Sequence, residues 1–269
     1  MGSSGGMTEA KSLALVTGAS SGIGLELAKQ FVLHDYDLVV CAEEEAIHQA
    51  ADALGVSGAV ITPVQVDLRT YDSVESLYTA VKGTGRPLDA AALNAGVGLG
   101  GPFVENNLTA ELDMIDLNVK STVHLAKRVL PDLVARGAGR VLFTSSIASM
   151  MPGTYQAVYN ASKSFVQSFA EALRNELKDT GVTVTALMPG PTDTNFFHRA
   201  EMDDTRVGAS DKDDPAVVAK QGFDALMKGD EKVVGGSVKT KVQAAASKIM
   251  PDSAKAQMHR RMAEPGSGE

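Results

Sequence analysis

The sequence has a single cysteine, no long apolar run and no cluster of metal ligands. These shortages argue against a disulfide, a membrane-spanning helix and a metal site, respectively. With only Cys41 among 269 residues, no disulfide can form within the chain. That usage is typical of a reducing compartment, and we expect the cytoplasm. No apolar stretch approaches the roughly 20 residues of a membrane-spanning helix. No group of cysteines and histidines has the spacing of a metal site, so we expect no metal.

Basic residues are also in the minority. Lysine and arginine total 25 against 33 aspartates and glutamates, and the formal net charge is −8. A protein that binds nucleic acid needs a basic surface to meet the phosphates. An anionic membrane surface attracts basic segments for the same reason. We therefore expect neither nucleic acid nor a membrane as a partner.

The first eleven residues, "MGSSGGMTEAK", lack the basic and then apolar pattern of a signal peptide. They resemble an expression tag followed by a native start at Met7, and residues 1–11 are left out of the predicted fold.

The rest of the chain alternates between short apolar runs and helical patterns. Apolar strands that alternate with helices predict a parallel sheet covered on both faces. We therefore predict a single-domain α/β fold, a Rossmann-like doubly wound sheet of about seven strands. The predicted strands are 13–17, 37–42, 59–66, 88–93, 139–145, 181–188 and 232–236. The predicted helices are 22–34, 44–54, 71–81, 109–136, 157–178 and 214–229.

Three segments depart from this regular alternation. Pro131 should kink or break the long helix 109–136. The irregular stretch 192–214 is too long for a simple connection and predicts a substrate lid, the other interpretation being a disordered polar loop. Residues 237–269 predict a helix pair around Pro251. We expect a catalytic domain over 12–236 with a helical extension over 237–269.

A glycine-rich turn, "TGASSGIG", lies where the first strand becomes the first helix. Gly18 permits a tight turn, Gly22 allows a pyrophosphate to approach the backbone, and Gly24 lets helix and strand pack closely. Free amides and the dipole at the start of the helix would hold the anion. The pattern therefore predicts a dinucleotide site.

Glu43 ends the second strand, about 20 residues after the glycine turn, where an acid can accept the ribose hydroxyls of NAD. The run "EEE" would repel a 2′-phosphate, and no basic residue follows the strand directly. This favours NAD over NADP. The alternative is that the acids favour the start of the next helix.

The stretch "YNASK" places Tyr159 and Lys163 one helical turn apart. They are either an ordinary exposed pair on a helix or an acid–base pair in which the ammonium lowers the pKa of the phenol toward neutrality. Ser145 and Ser146 end the preceding strand, where a hydroxyl could hold a substrate oxygen. No histidine–aspartate arrangement accompanies these serines, which argues against a hydrolase.

These motifs, taken in order, resemble the short-chain dehydrogenase/reductase family in its single-domain branch. The resemblance runs from about residue 12 to 236. It includes "TGASSGIG" (17–24), "VDL" (66–68), "NAG" (94–96), "LNV" (117–119), the spacing of Ser146, Tyr159 and Lys163, and "PGPTDT" (189–194).

The resemblance implies roles for particular residues. Tyr159 would be the general acid/base, Lys163 would lower its pKa and hold the nicotinamide ribose, Ser146 would polarise the reacting oxygen, and Asn118 would help to hold a relay water. The cofactor-binding residues would be Gly18, Ser20, Ser21, Gly22, Ile23, Gly24, Glu43, Asp67, Leu68, Asn94, Ala95, Gly96, Tyr159, Lys163, Pro189, Gly190, Thr192 and Thr194.

The implied function is an oxidoreductase that uses NAD, in preference to NADP, to interconvert a hydrophobic secondary alcohol and its carbonyl compound. The expected apolar walls are Phe103, Met150, Met151, Phe196 and Phe197. The family also implies a homodimer or homotetramer. Two alternatives remain: a nucleotide-sensing protein without catalysis, and a lyase or epimerase that regenerates its own NAD.

Overall fold

Within residues 11–247 and 249–268, the part of the chain that the computed structural model describes, seven strands form one parallel sheet. The strand order is β3-β2-β1-β4-β5-β6-β7, and every neighbouring pair is parallel. The predicted Rossmann-like fold is confirmed. The predicted leader falls almost wholly on residues 1–10, which lie outside the described ranges. The strands are β1 (Ser12–Thr17), β2 (Tyr36–Ala42), β3 (Ile61–Gln65), β4 (Ala90–Leu93), β5 (Gly139–Thr144), β6 (Val182–Pro189) and β7 (Lys232–Gly235).

Helices pack on both faces of this sheet and beyond its carboxyl edge. They are α1 (Gly22–Leu33), α2 (Ala46–Gly55), α3 (Tyr71–Gly83), α4 (Leu108–Ile115), α5 (Thr122–Arg136), α6 (Ala157–Glu176), α7 (Phe196–Arg199), α8 (Arg206–Ala209), α9 (Pro215–Lys228), α10 (Val238–Ser247) and α11 (Asp252–Ala263). None of these helices is both long and apolar enough to cross a membrane.

Alternate residues of the strands enter two separate cores, which is why the strands are apolar throughout. In β1, Leu13 and Leu15 belong to the core beneath α3, α5 and α6. Ala14 and Val16 belong to the core beneath α1, α2 and α9. Successive side chains of a strand point to opposite faces, so a sheet covered on both faces needs apolar residues at every position.

The predicted helix 109–136 is interrupted, but the prediction that Pro131 breaks it was wrong. Helix α5 continues through Pro131, and the interruption is a π-helical turn over Asp116–Ser121. In this turn the hydroxyl of Ser121 donates to the Leu117 carbonyl at 2.5 Å, and that of Thr122 donates to the Asn118 carbonyl at 2.9 Å. Such hydroxyl bonds back along the helix compete with the regular backbone pattern and bend helices.

The chain reverses its direction of winding between β1 and β4, which are adjacent in the sheet. The connections on either side of this point diverge and leave a crevice at the carboxyl ends of the strands, where ligands bind in folds of this kind. The segment 192–214 and the C-terminal helices lie beyond this edge. Segment 192–214 is not irregular throughout, since it contains α7 and α8 and a bridge between Thr192 and Asp213.

Candidate active site

A cavity of about 650 Å³ opens at the carboxyl ends of the strands. Segments that follow all seven strands contribute to its wall, because parallel strands deliver their ends to one edge of a sheet. The structure brings every predicted cofactor-binding and catalytic residue to this cavity except Asn118.

Helix α1 begins at the cavity without a side-chain cap. Its N-cap residue, Ser21, makes no side-chain hydrogen bond to the helix, and the first turn carries no acid. By contrast, α3, α4 and α9 are capped by Thr70, Asn107 and Asp214. The first amides of a helix need acceptors, and a diphosphate can supply them. The residues present therefore fit the diphosphate of a dinucleotide.

The turn before α1 is shaped by glycine. Gly18 has a φ of +68°, in the left-handed region, which a residue without a Cβ adopts without strain. A Cβ on Gly24 would overlap the carbonyl oxygen of Gly18. This close packing of helix on strand is the role predicted for Gly24.

Asn94 joins three adjacent strands below the cavity. Its backbone amide and that of Ala95 donate to the Thr17 hydroxyl at 2.9 and 3.0 Å. Its side-chain amide donates to the Thr17 carbonyl at 3.2 Å and accepts from the Thr144 hydroxyl at 2.9 Å. Asn94 thus fixes the relative positions of β1, β4 and β5 where the crevice opens.

Tyr159 and Lys163 lie in the first two turns of α6, and both are buried on the cavity wall. The Lys163 Nζ lies 5.9 Å from the centroid of the Tyr159 ring and donates to the Thr144 carbonyl at 3.0 Å. Ser145 anchors the same helix, since its hydroxyl donates to the Lys163 carbonyl at 3.0 Å. The Ser146 hydroxyl lies at the cavity and accepts from the Ala148 amide at 3.1 Å.

The prediction that the pKa of Tyr159 lies closer to neutrality than that of an ordinary phenol is wrong for this structure. Burial raises the pKa of Tyr159 to about 12, and the nearby Ser146 hydroxyl only partly opposes it. Burial also lowers the pKa of Lys163 to about 8. The reason is that removal from water penalises the charged form of both groups.

Asn118 lies behind the cavity wall and braces it. Its Nδ2 donates to the Val97 carbonyl at 2.9 Å and to the Ser162 hydroxyl at 3.0 Å, while its Oδ1 accepts from the Val97 amide at 2.9 Å. Both amide hydrogens are therefore engaged. A Cβ built on Gly96 would lie 3.1 Å from both the Asn118 Oδ1 and the Lys163 Nζ, so a larger residue here would require these side chains to shift.

Glu43 and Asp67, at one end of the cavity, pair with a basic residue that was not predicted from the sequence. The Nη1 of Arg69 donates to Glu43 at 2.6 Å and to Asp67 at 3.0 Å. The sequence shows no basic residue directly after β2, but the fold brings Arg69 there from the end of β3. The Glu43 carboxylate is thus partly neutralised, which weakens the electrostatic argument against a 2′-phosphate.

The opposite end of the cavity is partly apolar. Met151, Phe196 and Phe197 line it as predicted, with the Phe196 ring centroid 5.2 Å from that of Tyr159. The other two expected wall residues do not line it: Phe103 is 60% exposed, and Met150 packs beneath α10. Residues that were not predicted from the sequence also line the cavity, among them Gln156, His259, Met262 and Ala263. Gln156 could have been predicted at the site, because it lies only three residues before Tyr159 in the sequence. His259 is far from every motif, so nothing in the sequence pointed to it.

Comparison with known proteins places this site in a familiar context. A family model described as short chain dehydrogenase matches residues 12–205. Oxidoreductase UcpA of Salmonella typhimurium is 32% identical over 208 residues, which cover 76% of this chain and 76% of that protein. Sulfoacetaldehyde reductase 2 of Chromohalobacter salexigens is 35% identical over 187 residues, covering 68% of this chain and 74% of that protein. A short-chain dehydrogenase from Sphingobium yanoikuyae in complex with NADPH has a TM-score of 0.79 and 25% identity, covering 88% of this chain and 93% of that chain.

The lowered pKa of Lys163 makes stability depend on pH. The folded state favours the neutral amine, so the contribution of Lys163 to stability is complete above the unfolded pKa of 10.5 and is lost as the pH falls through about 8. Lys163→Met removes this dependence. We expect the free energy of unfolding of the variant, relative to that of the parent, to be about 2–3 kcal/mol higher at pH 6.5 than at pH 10, which means a relatively more stable variant at the lower pH.

Urea unfolding at the two pH values measures this difference, with Lys178→Met as a control for the loss of an exposed lysine. An equal stability difference between Lys163→Met and the parent at both pH values would contradict the burial of Lys163.

Proposed function

The chain belongs to the short-chain dehydrogenase/reductase family of oxidoreductases, and from that premise we propose that it interconverts a hydrophobic alcohol and its ketone or aldehyde. One observation carries the proposal: a single cavity has an uncapped helix start at one end and the buried Tyr159–Lys163 pair towards an apolar end. The first feature suits a dinucleotide and the second suits proton transfer to an oxygen of an apolar compound.

Each part of the chain has a distinct role in the proposal. A bound nicotinamide dinucleotide would supply or accept the hydride. The amides of residues 20–24 would hold its diphosphate, Glu43 and Asp67 its adenosine, and residues 189–194 its nicotinamide end. Segment 192–214 would cover the cavity as a lid, with 12–236 as the catalytic domain and 237–269 as an extension.

Tyr159 moves the proton. At neutral pH its phenol is protonated, because burial holds its pKa at about 12, so it can donate to a carbonyl oxygen as the hydride reaches the carbonyl carbon. The phenol O–H bond breaks and the alcohol O–H bond forms. Lys163 is largely charged below pH 8 and stabilises the phenolate that results. Ser146 donates to the same oxygen and orients it. The resting protonation state therefore suits reduction.

Tyr159→Phe tests this role. The variant keeps the ring and its packing but has no proton to donate, so we expect dinucleotide binding to persist and kcat for ketone reduction to fall by about 10²–10⁴-fold. Tyr78→Phe is the matched control, because its hydroxyl bonds to Asp132 on the surface. Absorbance of reduced nicotinamide measures turnover, and fluorescence titration measures binding. Turnover at the parental rate in Tyr159→Phe would refute the role.

The same assay separates this function from an enzyme that regenerates its own NAD. A dehydrogenase changes the amount of reduced cofactor with every turnover, whereas a lyase or epimerase of that type changes none.

We further propose that NAD is preferred to NADP, because Glu43 lines the cavity and a carboxylate accepts ribose hydroxyls. Two observations favour NADP instead: Arg69 pairs with Glu43, and one relative was solved in complex with NADPH. Glu43→Arg should lower the ratio of kcat/KM for NADH to that for NADPH at least tenfold, since the new charge and the released Arg69 both attract a 2′-phosphate. Glu45→Arg, which adds the same charge outside the cavity, is the control. An unchanged ratio in Glu43→Arg would show that other contacts set the preference.

We also propose that the chain assembles as a homodimer or homotetramer. The family resemblance implies contacts through the helices after β4 and β5, and these helices expose large apolar side chains. They are Leu108, Leu112, Ile115, Val123, Val134 and Phe165. Light scattering should give a mass of two or four chains, and the mass of one chain at micromolar concentration would contradict this.

A further inference from the structure

Two polar side chains at the substrate end of the cavity are not explained by hydride transfer. Gln156 is 7% exposed and His259 is 5% exposed, and both line the cavity wall. Other buried polar residues there, such as Lys163 and Thr240, have hydrogen-bond partners within the protein. Gln156 and His259 each keep a hydrogen-bonding atom without one.

Gln156 presents an unused donor. It precedes α6 and lies three residues before Tyr159, so it belongs to the wall that carries the reacting phenol. Its Nε2 is buried and has no hydrogen-bond partner in the part of the chain that the structure describes. An unsatisfied buried donor destabilises the folded state, and a ligand with an acceptor atom would satisfy it.

His259 presents an unused acceptor. Its Nδ1 lies 2.8 Å from the Thr154 carbonyl oxygen. A carbonyl only accepts, so Nδ1 carries the hydrogen. Burial lowers the pKa of His259, which keeps the ring neutral and leaves a lone pair on Nε2. Within the described ranges, Nε2 makes no hydrogen bond.

The two groups are held on one fixed piece of wall. The Thr154 carbonyl that receives His259 is two residues from Gln156. Tyr155, between them, has a φ of +65°, and its hydroxyl donates to Glu264 at 3.1 Å. The Thr154 hydroxyl donates to the Ala256 carbonyl at 3.1 Å. Such a strained conformation persists where surrounding contacts enforce it, often at ligand sites.

From this arrangement we infer that the substrate carries a hydroxyl group remote from its reacting carbon, which accepts from Gln156 and donates to His259. A hydroxyl is the simplest group that accepts and donates at once. The substrate would thus be an apolar hydroxy ketone or the corresponding diol. This inference deepens the proposed function and rests on it, and it makes His259 and Gln156 specificity residues for that reaction.

Three matched series of methyl ketones test the inference. The end of the alkyl chain carries a hydroxyl, a methoxy or a methyl group, and the chain length is varied so that the end group can reach the wall. We expect one chain length at which kcat/KM for the hydroxy ketone exceeds that for the methyl analogue about 10–100-fold, mainly through KM. The methoxy ketone accepts but cannot donate, so it should be used less well than the hydroxy ketone.

Variants assign the preference to the two residues. His259→Asn keeps a donor near the position of Nδ1 for Thr154 but removes Nε2, and Gln156→Met keeps the side-chain length but removes the amide. Each should reduce the preference for hydroxy over methyl ketone to less than about threefold. His48→Asn, an exposed change on α2, is the control. The ratio between two substrates on one enzyme cancels any general loss of folded protein.

The outcomes separate this inference from the proposed function. If the enzyme reduces simple methyl ketones but prefers the hydroxy series at no chain length, the proposed function stands and this inference is wrong. If the methoxy series equals the hydroxy series, His259 is not an acceptor and the inference is also wrong. If no ketone is reduced with NADH or NADPH, the proposed function is wrong, and the inference, which rests on it, is wrong as well.

Discussion

Burial of an ionisable pair is the constraint on which the account of this protein depends. Tyr159 and Lys163 are removed from water in the same turn-and-a-half of α6, and this alone moves the pKa of the phenol up to about 12 and that of the amine down to about 8. The phenol therefore stays protonated and the amine stays mostly charged near neutrality. A proton donor next to a cation is what reduction of a carbonyl needs, since the anion left behind forms beside a positive charge.

The sheet makes this burial possible without isolating the pair from ligands. Seven strand ends meet at one edge, and Asn94 ties β1, β4 and β5 together beneath it. Asn118 and Gly96 close the corner behind Lys163. The start of α1 remains uncapped at the same edge. Packed and hydrogen-bonded residues thus surround the groups that would do chemistry, and the start of α1 keeps donors that a ligand could meet.

The sequence predicted the parts of the fold that depend on local pattern. Apolar strands, helical periods and the glycine turn were recognisable because each reflects a constraint within a few residues. A kink or break in the long helix was predicted at Pro131, because proline has no backbone N–H to donate to the preceding turn. The actual interruption is a π-helical turn in which the hydroxyls of Ser121 and Thr122 bond back along the helix and Asn118 is tied to Val97. The tie to Val97 is a tertiary contact, which a local pattern does not reveal.

Features of the site that depend on distant segments were beyond prediction. Arg69 reaches Glu43 across 26 positions, and His259 reaches Thr154 across 105. Neither contact could be predicted from a periodicity or a spacing in the sequence. The direction of the Tyr159 pKa was mispredicted for a related reason, because a spacing of four residues indicates proximity to a cation but not the depth of burial. Phe103 was expected in the wall on composition, and the fold leaves it exposed.

The most direct test of this account is a pH titration of the protein with ¹³C-labelled tyrosine rings. The chain has five tyrosines, and the resonance absent from Tyr159→Phe identifies the residue in question. Burial predicts that this resonance shows no ionisation up to about pH 10.5, since the pKa of Tyr159 is about 12. An ionisation midpoint at or below the ordinary value for tyrosine, about 10, would show that the ammonium outweighs burial and would contradict the account.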